Sequence, residues 1–115
     1  MITIIENNDL RISVDSLGAE MVSLINKRNK REYVWNGDPK WWKRHAPILF
    51  PCVGASWNQT VRVDGKDYPM SQHGFARDME FLLSDQTSES LEYTLCDNEE
   101  SRRHYPASFE LKVKI

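Results

Sequence analysis

The chain has 115 residues, of which 40% are hydrophobic and 28% are charged, and its formal net charge is −2. This composition is that of one small, folded, soluble domain and excludes disordered, collagen-like and coiled-coil chains. Fifteen basic residues against seventeen acidic ones leave no positive field that would hold a phosphate backbone, so we expect no nucleic-acid partner.

Alternation of apolar and polar residues, the two-residue period of half-buried strands, predicts an all-β antiparallel fold. In chain order, the predicted strands are residues 10–14, 18–25 with 32–35, 61–63 with 68, 79–83, 91–95 and 109–115. The dipeptide Asp64-Gly65 tolerates positive φ and predicts a tight hairpin turn. The densest basic run, residues 27–31, is predicted to be a solvated hairpin loop rather than a phosphate clamp.

Two stretches interrupt this alternation. Asp38 in an N-cap position and Pro39 in the first helical position predict a short helix over residues 38–44. Residues 98–103 carry their acidic side chains first and their basic ones last, which predicts a single helical turn.

The sequence also bears on compartment, metals and cofactors. Neither a secretion signal nor an apolar run long enough to cross a membrane is present. Cys52 and Cys96 lie far apart without a C-x-x-C pair, which predicts free, buried thiols in a reducing cytoplasm. His45, His73 and His104 are also widely separated in the sequence, so we predict no metal site. The sequence contains no phosphate-binding glycine loop, so we also predict no cofactor.

The stretch SQHGFARD, residues 71–78, gathers groups that suit a polar ligand. His73 can exchange a proton near neutral pH, and Arg77 offers a planar fork of donors to hydroxyl or anionic oxygens. Asp78 can accept a hydrogen bond from a sugar hydroxyl, and Gly74 permits close backbone approach. The alternative interpretation is a loop histidine beside a surface pair of Arg77 and Asp78.

Four tryptophans, Trp35, Trp41, Trp42 and Trp57, can either stack on the apolar face of a sugar ring or belong to the core. For Trp35 and Trp41 the core interpretation is favoured. Trp57 lies in a polar stretch and is the better candidate for ligand binding.

Three segments together carry a family resemblance: APILFPCVG (residues 46–54), VDGKDYPM (63–70) and QHGFARD (72–78). They resemble the N-terminal part of aldose 1-epimerases, also called galactose mutarotases, and especially the LacX-like branch. The resemblance implies an antiparallel β-sandwich of the galactose mutarotase-like type, with residues 1–115 as a single N-terminal portion. It also implies a carbohydrate-metabolism protein that binds a hexose, either galactose, glucose or a sugar phosphate, and interconverts its α and β anomers without cofactor or metal.

Mutarotation needs an acid and a base of matched pKa on opposite sides of one site. The resemblance assigns a sugar-binding or supporting role to His73, with Arg77 nearby, and places the family's second histidine and its glutamate beyond the length of this chain. His104 lies where the family has no catalytic residue, and Ala55-Ser56 stands where many relatives carry a sugar-holding arginine.

Residues 109–115 still follow the strand pattern at the last position. Together with the resemblance, this predicts a truncated family member without its main proton-transfer groups. Two alternatives stay open: a non-catalytic carbohydrate-binding module, and an inactive remnant that self-associates as a homo-oligomer through exposed strands.

Overall fold

The computed structural model describes residues 1–115 and confirms the all-β antiparallel prediction. Nine strands and one short helix follow in this order: β1 (Ile2–Glu6), β2 (Leu10–Asp15), β3 (Glu20–Asn26), β4 (Arg31–Glu32), β5 (Thr60–Val63), β6 (Lys66–Pro69), β7 (Leu82–Gln86), β8 (Leu91–Cys96), α1 (Glu99–Arg102) and β9 (Glu110–Lys114). They form a four-stranded sheet β1-β2-β3-β4, a two-stranded hairpin β5-β6 and a three-stranded sheet β7-β8-β9. Every strand pair is antiparallel.

The predicted hairpins form where the sequence supplies the required backbone conformations. Asp64 and Gly65 adopt φ of 50° and 76°, so both central residues are left-handed, as the tight turn between β5 and β6 requires. Residues 27–30 form the exposed connection between β3 and β4, as predicted, and Arg31, the last residue of the basic run, is the first residue of β4. The strand predicted at 79–83 begins only at Leu82, because the preceding residues bond to the β2–β3 connection: Gly18 N–H donates to the Met79 carbonyl, and Phe81 N–H to that of Ser16.

The helix predicted over residues 38–44 is wrong. Asp38 does begin a turn, and its carbonyl accepts the N–H groups of Trp41 and Trp42 at 3.0 and 2.9 Å. The turn does not continue, because the following residues are held by other parts of the chain: Arg44 by Asp78 at 2.9 Å, and the His45 N–H by a carboxylate oxygen of Glu20 at 2.6 Å. Tertiary contacts therefore override the local start signal.

The second helical prediction is confirmed as α1. Asn98 accepts the Ser101 N–H at 2.9 Å, and the Ser101 hydroxyl accepts the Asn98 N–H at 2.9 Å, which completes a reciprocal capping box. Just before the cap, Asp97 accepts the Phe109 N–H at 3.1 Å and the Nε–H of Arg102 at 2.9 Å. These bonds, the Phe109 one above all, hold the pKa of the Asp97 carboxyl below its usual value.

The core lies between the two larger sheets. Its eight buried members come from β1, β2, β8 and the connections between strands: Ile5, Val14, Ala19, Ala76, Phe81, Leu91, Tyr93 and Leu95. The molecule is nonetheless flat, with extents of 54 × 33 × 18 Å and a radius of gyration of 16.2 Å. A compact domain of this length has a radius near 13 Å, so much apolar surface stays outside the core.

Two predictions about individual side chains are wrong. Trp35 and Trp41 are exposed, Trp41 by 71%, so neither belongs to the core. Cys52 and Cys96 are free thiols as predicted, but Cys52 is half-buried and Cys96 is exposed. No helix in the chain has the length and apolar character to cross a bilayer.

Candidate functional site

Two of the sequence motifs meet directly in space. The carbonyl of Phe50, in the first motif, accepts the N–H groups of Phe75 and Ala76 at 2.9 and 3.2 Å, and Phe50 and Gly74 form a parallel bridge. Gly74 has φ of +76°, and a Cβ atom there would lie 2.1 Å from the Phe50 oxygen. Only glycine permits both this conformation and this approach, so Gly74 fastens the SQHGFARD loop to residues 49–51.

His73 is held by a reciprocal pair of hydrogen bonds to Gly54. The His73 N–H donates to the Gly54 carbonyl at 2.9 Å, and the Gly54 N–H donates to His73 Nδ1 at 2.7 Å. Because Nδ1 accepts, the neutral ring carries its hydrogen on Nε2, which has no partner within the chain. His73 itself is left-handed, with φ of 64°, a conformation that is uncommon outside glycine and that the Gly54 pair maintains.

Arg77 lies one turn further along the same loop. Its guanidinium donates from Nη2 to the Gln72 carbonyl at 2.9 Å, while its buried Nε–H has no partner. Gly18, at φ +77°, packs against the Arg77 backbone so closely that a Cβ atom would lie 2.7 Å from its carbonyl oxygen. The β2–β3 connection thus fixes the backbone from which the guanidinium projects.

His73 and Arg77 line one cavity of about 350 Å³. Its other walls are Trp42, Pro47, Leu49 and Gln72. A cavity of this size is at the lower end of the range for small-molecule sites, and its mixture of an aromatic wall with a few polar donors is typical of such sites. The arrangement can donate from His73 Nε2 and from Arg77 to the oxygens of a ligand, while Trp42 offers an apolar ring surface.

Asp78 lies on the other side of Arg77, beside a second cavity of about 290 Å³ that Arg77 also lines. There Asp78 accepts a hydrogen bond from Arg44 at 2.9 Å, and the buried Glu20 accepts from the His45 N–H and lies 2.9 Å from His45 Nδ1. The surface pair of Arg77 and Asp78, the alternative interpretation of this motif, does not form; Asp78 pairs with Arg44 instead.

Trp57 is 87% exposed and lines none of the cavities. The aromatic residue at the His73 cavity is Trp42, which is 49% exposed and whose carbonyl accepts the Trp35 indole N–H at 2.7 Å. Sequence reasoning missed Trp42 because four tryptophans in similar polar surroundings offer no local distinction. Leu49 could have been identified from the sequence, because it belongs to the same family motif as Phe50.

His45, His104 and the carboxylates do not form a metal site. His104 Nδ1 lies 2.8 Å from the Pro69 carbonyl and its Nε2 lies 3.3 Å from Glu100, so it links α1 to β6 at a distance from the cavity. No three His, Cys, Asp or Glu side chains converge in a way that would hold a metal ion. The cavity's own lining residues contain no carboxylate.

Residues 1–115 match the sequence profile of the aldose 1-epimerase family. Two curated relatives, the chromosomal and plasmid forms of protein LacX from Lactococcus lactis, are each 32% identical to the chain over 114 residues. These alignments cover 95% of this chain and 38% of each relative, so the chain spans 38% of the length of the curated relatives it matches.

Solved structures share the fold. A galactose mutarotase related enzyme from Lactobacillus acidophilus is 41% identical, with a TM-score of 0.97 over 99% of this chain and 38% of that one. A galactose mutarotase-like protein from Lactobacillus casei is 43% identical, with a TM-score of 0.96 over 99% of this chain and 39% of that one. The antiparallel sheets therefore have the galactose mutarotase-like architecture that the motifs predicted.

Proposed function

The chain belongs to the aldose 1-epimerase family, a family of carbohydrate metabolism, and from that premise we propose that it binds a hexose in the cavity between His73 and Trp42. The observation that carries the proposal is the pair of hydrogen bonds between His73 and Gly54. It occupies Nδ1 of His73 and leaves Nε2–H for a ligand. Galactose and glucose are the proposed ligands, and a sugar phosphate is included because Arg77 can pair with a phosphate oxygen.

In this proposal each side chain has a separate task. His73 Nε2–H and the Arg77 guanidinium donate to sugar oxygens, while the Trp42 ring covers an apolar patch of the pyranose. Asp78 contributes a carboxylate to the lining of the second cavity, which Arg77 also lines. Trp57 can contact a ligand only where one extends beyond the cavity, because it is exposed and lines none.

For this chain by itself we propose binding without turnover. Anomer interconversion requires a proton donor and a proton acceptor on opposite sides of the sugar. The lining of the cavity contains one imidazole, that of His73, and no carboxylate. The rival function, catalysed mutarotation, is favoured by the family match over residues 1–115.

Two substitutions separate the structural and ligand-binding tasks of His73. His73→Asn keeps an acceptor oxygen near the position of Nδ1 and tolerates positive φ, but it removes the Nε2 donor. His73→Gln places an amide N–H near the position of Nε2 but loses the acceptor for the Gly54 N–H. We expect His73→Asn to fold normally and bind galactose at least about tenfold more weakly, which corresponds to one lost hydrogen bond. His73→Gln should be less stable than His73→Asn, and it should keep more of the wild-type affinity for galactose.

The measurement is a titration by protein-observed NMR with galactose, glucose and glucose 6-phosphate, and glycerol as the non-sugar control. Equal affinity for galactose in the wild type and His73→Asn contradicts the proposed site. Polarimetry of freshly dissolved α-galactose tests the rival: we expect the buffer rate, and an acceleration that falls in His73→Asn would establish catalysis.

The reducing cytoplasm is kept as the proposed compartment. It is supported by the two thiols, which are unpaired, one of them exposed.

A further inference from the structure

Trp42, the aromatic wall of the proposed sugar cavity, belongs to residues 37–45, which we call the aromatic loop. Inside this loop the Asp38 carbonyl accepts the Trp42 N–H at 2.9 Å. At its two ends, Gly37 packs against the His45 ring so closely that a Cβ atom on Gly37 would lie 2.5 Å from His45 Nε2. The aromatic loop is therefore closed on itself, and Trp42 is bonded into its middle.

The Trp42 ring is held in place through the backbone of this loop rather than through polar or aromatic-ring contacts of its own. It is half exposed, and none of the aromatic ring pairs in the chain includes it. The Trp42 backbone, by contrast, is bonded, because its carbonyl accepts the Trp35 indole N–H at 2.7 Å. The position of the ring at the cavity therefore depends on the position of the aromatic loop.

Two side-chain contacts fasten the end of the aromatic loop to the rest of the chain. Arg44 donates to Asp78 at 2.9 Å, and only 17% of the Arg44 side chain is exposed, so this ion pair is partly shielded from solvent. The buried Glu20 of β3 uses one carboxylate oxygen for two bonds, with the His45 N–H at 2.6 Å and with His45 Nδ1 at 2.9 Å. An ionised carboxylate only accepts, so Nδ1 is the donor. All four side chains line the second cavity, and none lines the sugar cavity.

We propose that Glu20 and Arg44 are positioning residues for sugar binding: they touch no ligand, and they hold the aromatic loop so that the Trp42 ring stands against the sugar. The inference rests on the proposed function. Asp78, the acceptor for Arg44, directly follows Arg77, so this contact joins the loop to the backbone that carries the guanidinium donor. A displaced loop would change the distance between the aromatic wall and the polar donors, which a bound sugar has to contact at the same time.

Matched variants in the NMR titration with galactose test the role of Arg44. Arg44→Met keeps the apolar stem and removes the guanidinium. Arg62→Met is the control, because Arg62 forms an ion pair of the same 2.9 Å length with Asp67 and lines no wall of the sugar cavity. We expect Arg44→Met to bind galactose about threefold more weakly, the change that corresponds to the loss of one partly exposed ion pair. Arg62→Met should bind with the wild-type affinity.

A conservative and a non-conservative variant test the role of Glu20. Glu20→Gln keeps the oxygen that accepts both bonds from His45, so it should keep most of the affinity for galactose. Glu20→Ala removes that oxygen and should weaken binding about threefold or more. Equal affinity in these two variants contradicts the role assigned to Glu20.

A double-mutant cycle shows whether Arg44 acts through Trp42. In a Trp42→Ala background the aromatic wall is absent, so Arg44→Met should change the affinity for galactose no further. If Arg44→Met weakens binding by the same factor with and without the Trp42 ring, the proposal is overturned.

The solvent-exchange rate of the Trp35 indole N–H, measured by NMR, reports the position of the loop without any ligand. This N–H donates to the Trp42 carbonyl, so its exchange should become about threefold faster in Arg44→Met and in Glu20→Ala and stay unchanged in Arg62→Met. Unchanged exchange in both of the first two variants overturns the proposal.

The two readouts separate this inference from the proposed function. A wild-type chain that binds no galactose contradicts the proposed function, and the exchange rates then still decide whether Glu20 and Arg44 position Trp42. Circular dichroism checks that each variant is folded, and the Arg44→Met results decide alone where Glu20→Ala does not fold.

Discussion

Substitution of Gly74 by alanine should break the junction between the two motifs that build the cavity. The new Cβ atom would lie 2.1 Å from the Phe50 oxygen and 2.4 Å from its carbonyl carbon, and the φ of +76° is strained for alanine. The left-handed conformation alone costs about 1–2 kcal/mol. The Phe50 carbonyl must also move, and it accepts two hydrogen bonds, from Phe75 and Ala76, each worth about 1 kcal/mol. The free energy of unfolding should therefore fall by about 3–4 kcal/mol.

Gly65→Ala is the matched control. Gly65 has the same φ of +76°, but no heavy atom lies within 4 Å of the place that a Cβ atom would occupy, so this variant bears the cost of the backbone conformation alone. It should lose about 1–2 kcal/mol. The difference between the two variants isolates the steric contact with Phe50.

Urea unfolding followed by tryptophan fluorescence and circular dichroism gives both values. The reasoning is refuted if the two variants lose equal stability, because the close approach of Gly74 to Phe50 would then carry no energy. In Gly74→Ala the affinity for galactose should fall together with the stability, since the loop carrying His73 is displaced. In Gly65→Ala the affinity should stay at the wild-type value.

Three further outcomes are expected. Trp42→Ala should weaken galactose binding about fivefold or more while Trp57→Ala leaves it unchanged, as measured by the same NMR titration; the reverse order would contradict the assignment of the aromatic wall. Asn98→Ala should lower the free energy of unfolding by about 1 kcal/mol in urea, because it removes the capping box of α1. The lowered pKa of Asp97 means that the unfolded chain takes up its proton first as pH falls, so the stability that Asp97 contributes is present above pH ~4 and is lost below it. Asp97→Asn should therefore flatten the decline of the urea midpoint between about pH 5 and pH 3, and an unchanged decline would contradict the role of the Phe109 N–H bond.

Local sequence was sufficient wherever a feature depends on neighbouring residues alone. The alternation at 91–95 and 109–115 identified β8 and β9, because a half-buried strand imposes a two-residue period on its own sequence. Asp64-Gly65 identified the β5–β6 turn through its tolerance of positive φ. The motifs identified the family, and with it the sheet architecture that the comparisons share.

Sequence was insufficient wherever two distant parts of the chain compete for the same group. Asp38 and Pro39 carry a sound helix start signal, yet Asp78 holds Arg44, the last residue of the predicted helix, and Glu20 holds His45 directly after it. The contact of Glu20 with His45 joins positions with no local pattern in common, so no short-range rule predicts it.

The sequence by itself determined the strands other than β1, the tight turn, the family, and the presence of a histidine and an arginine in one loop. Only the tertiary structure decided that Trp42, and not Trp57, stands beside His73, and that Gly54 leaves Nε2 as the free nitrogen. The physical reason is that strand and turn preferences act within a few residues, whereas a cavity is defined by loops whose relative positions depend on packing. The contact of Gly74 with Phe50 sets that position here, across more than twenty residues of chain.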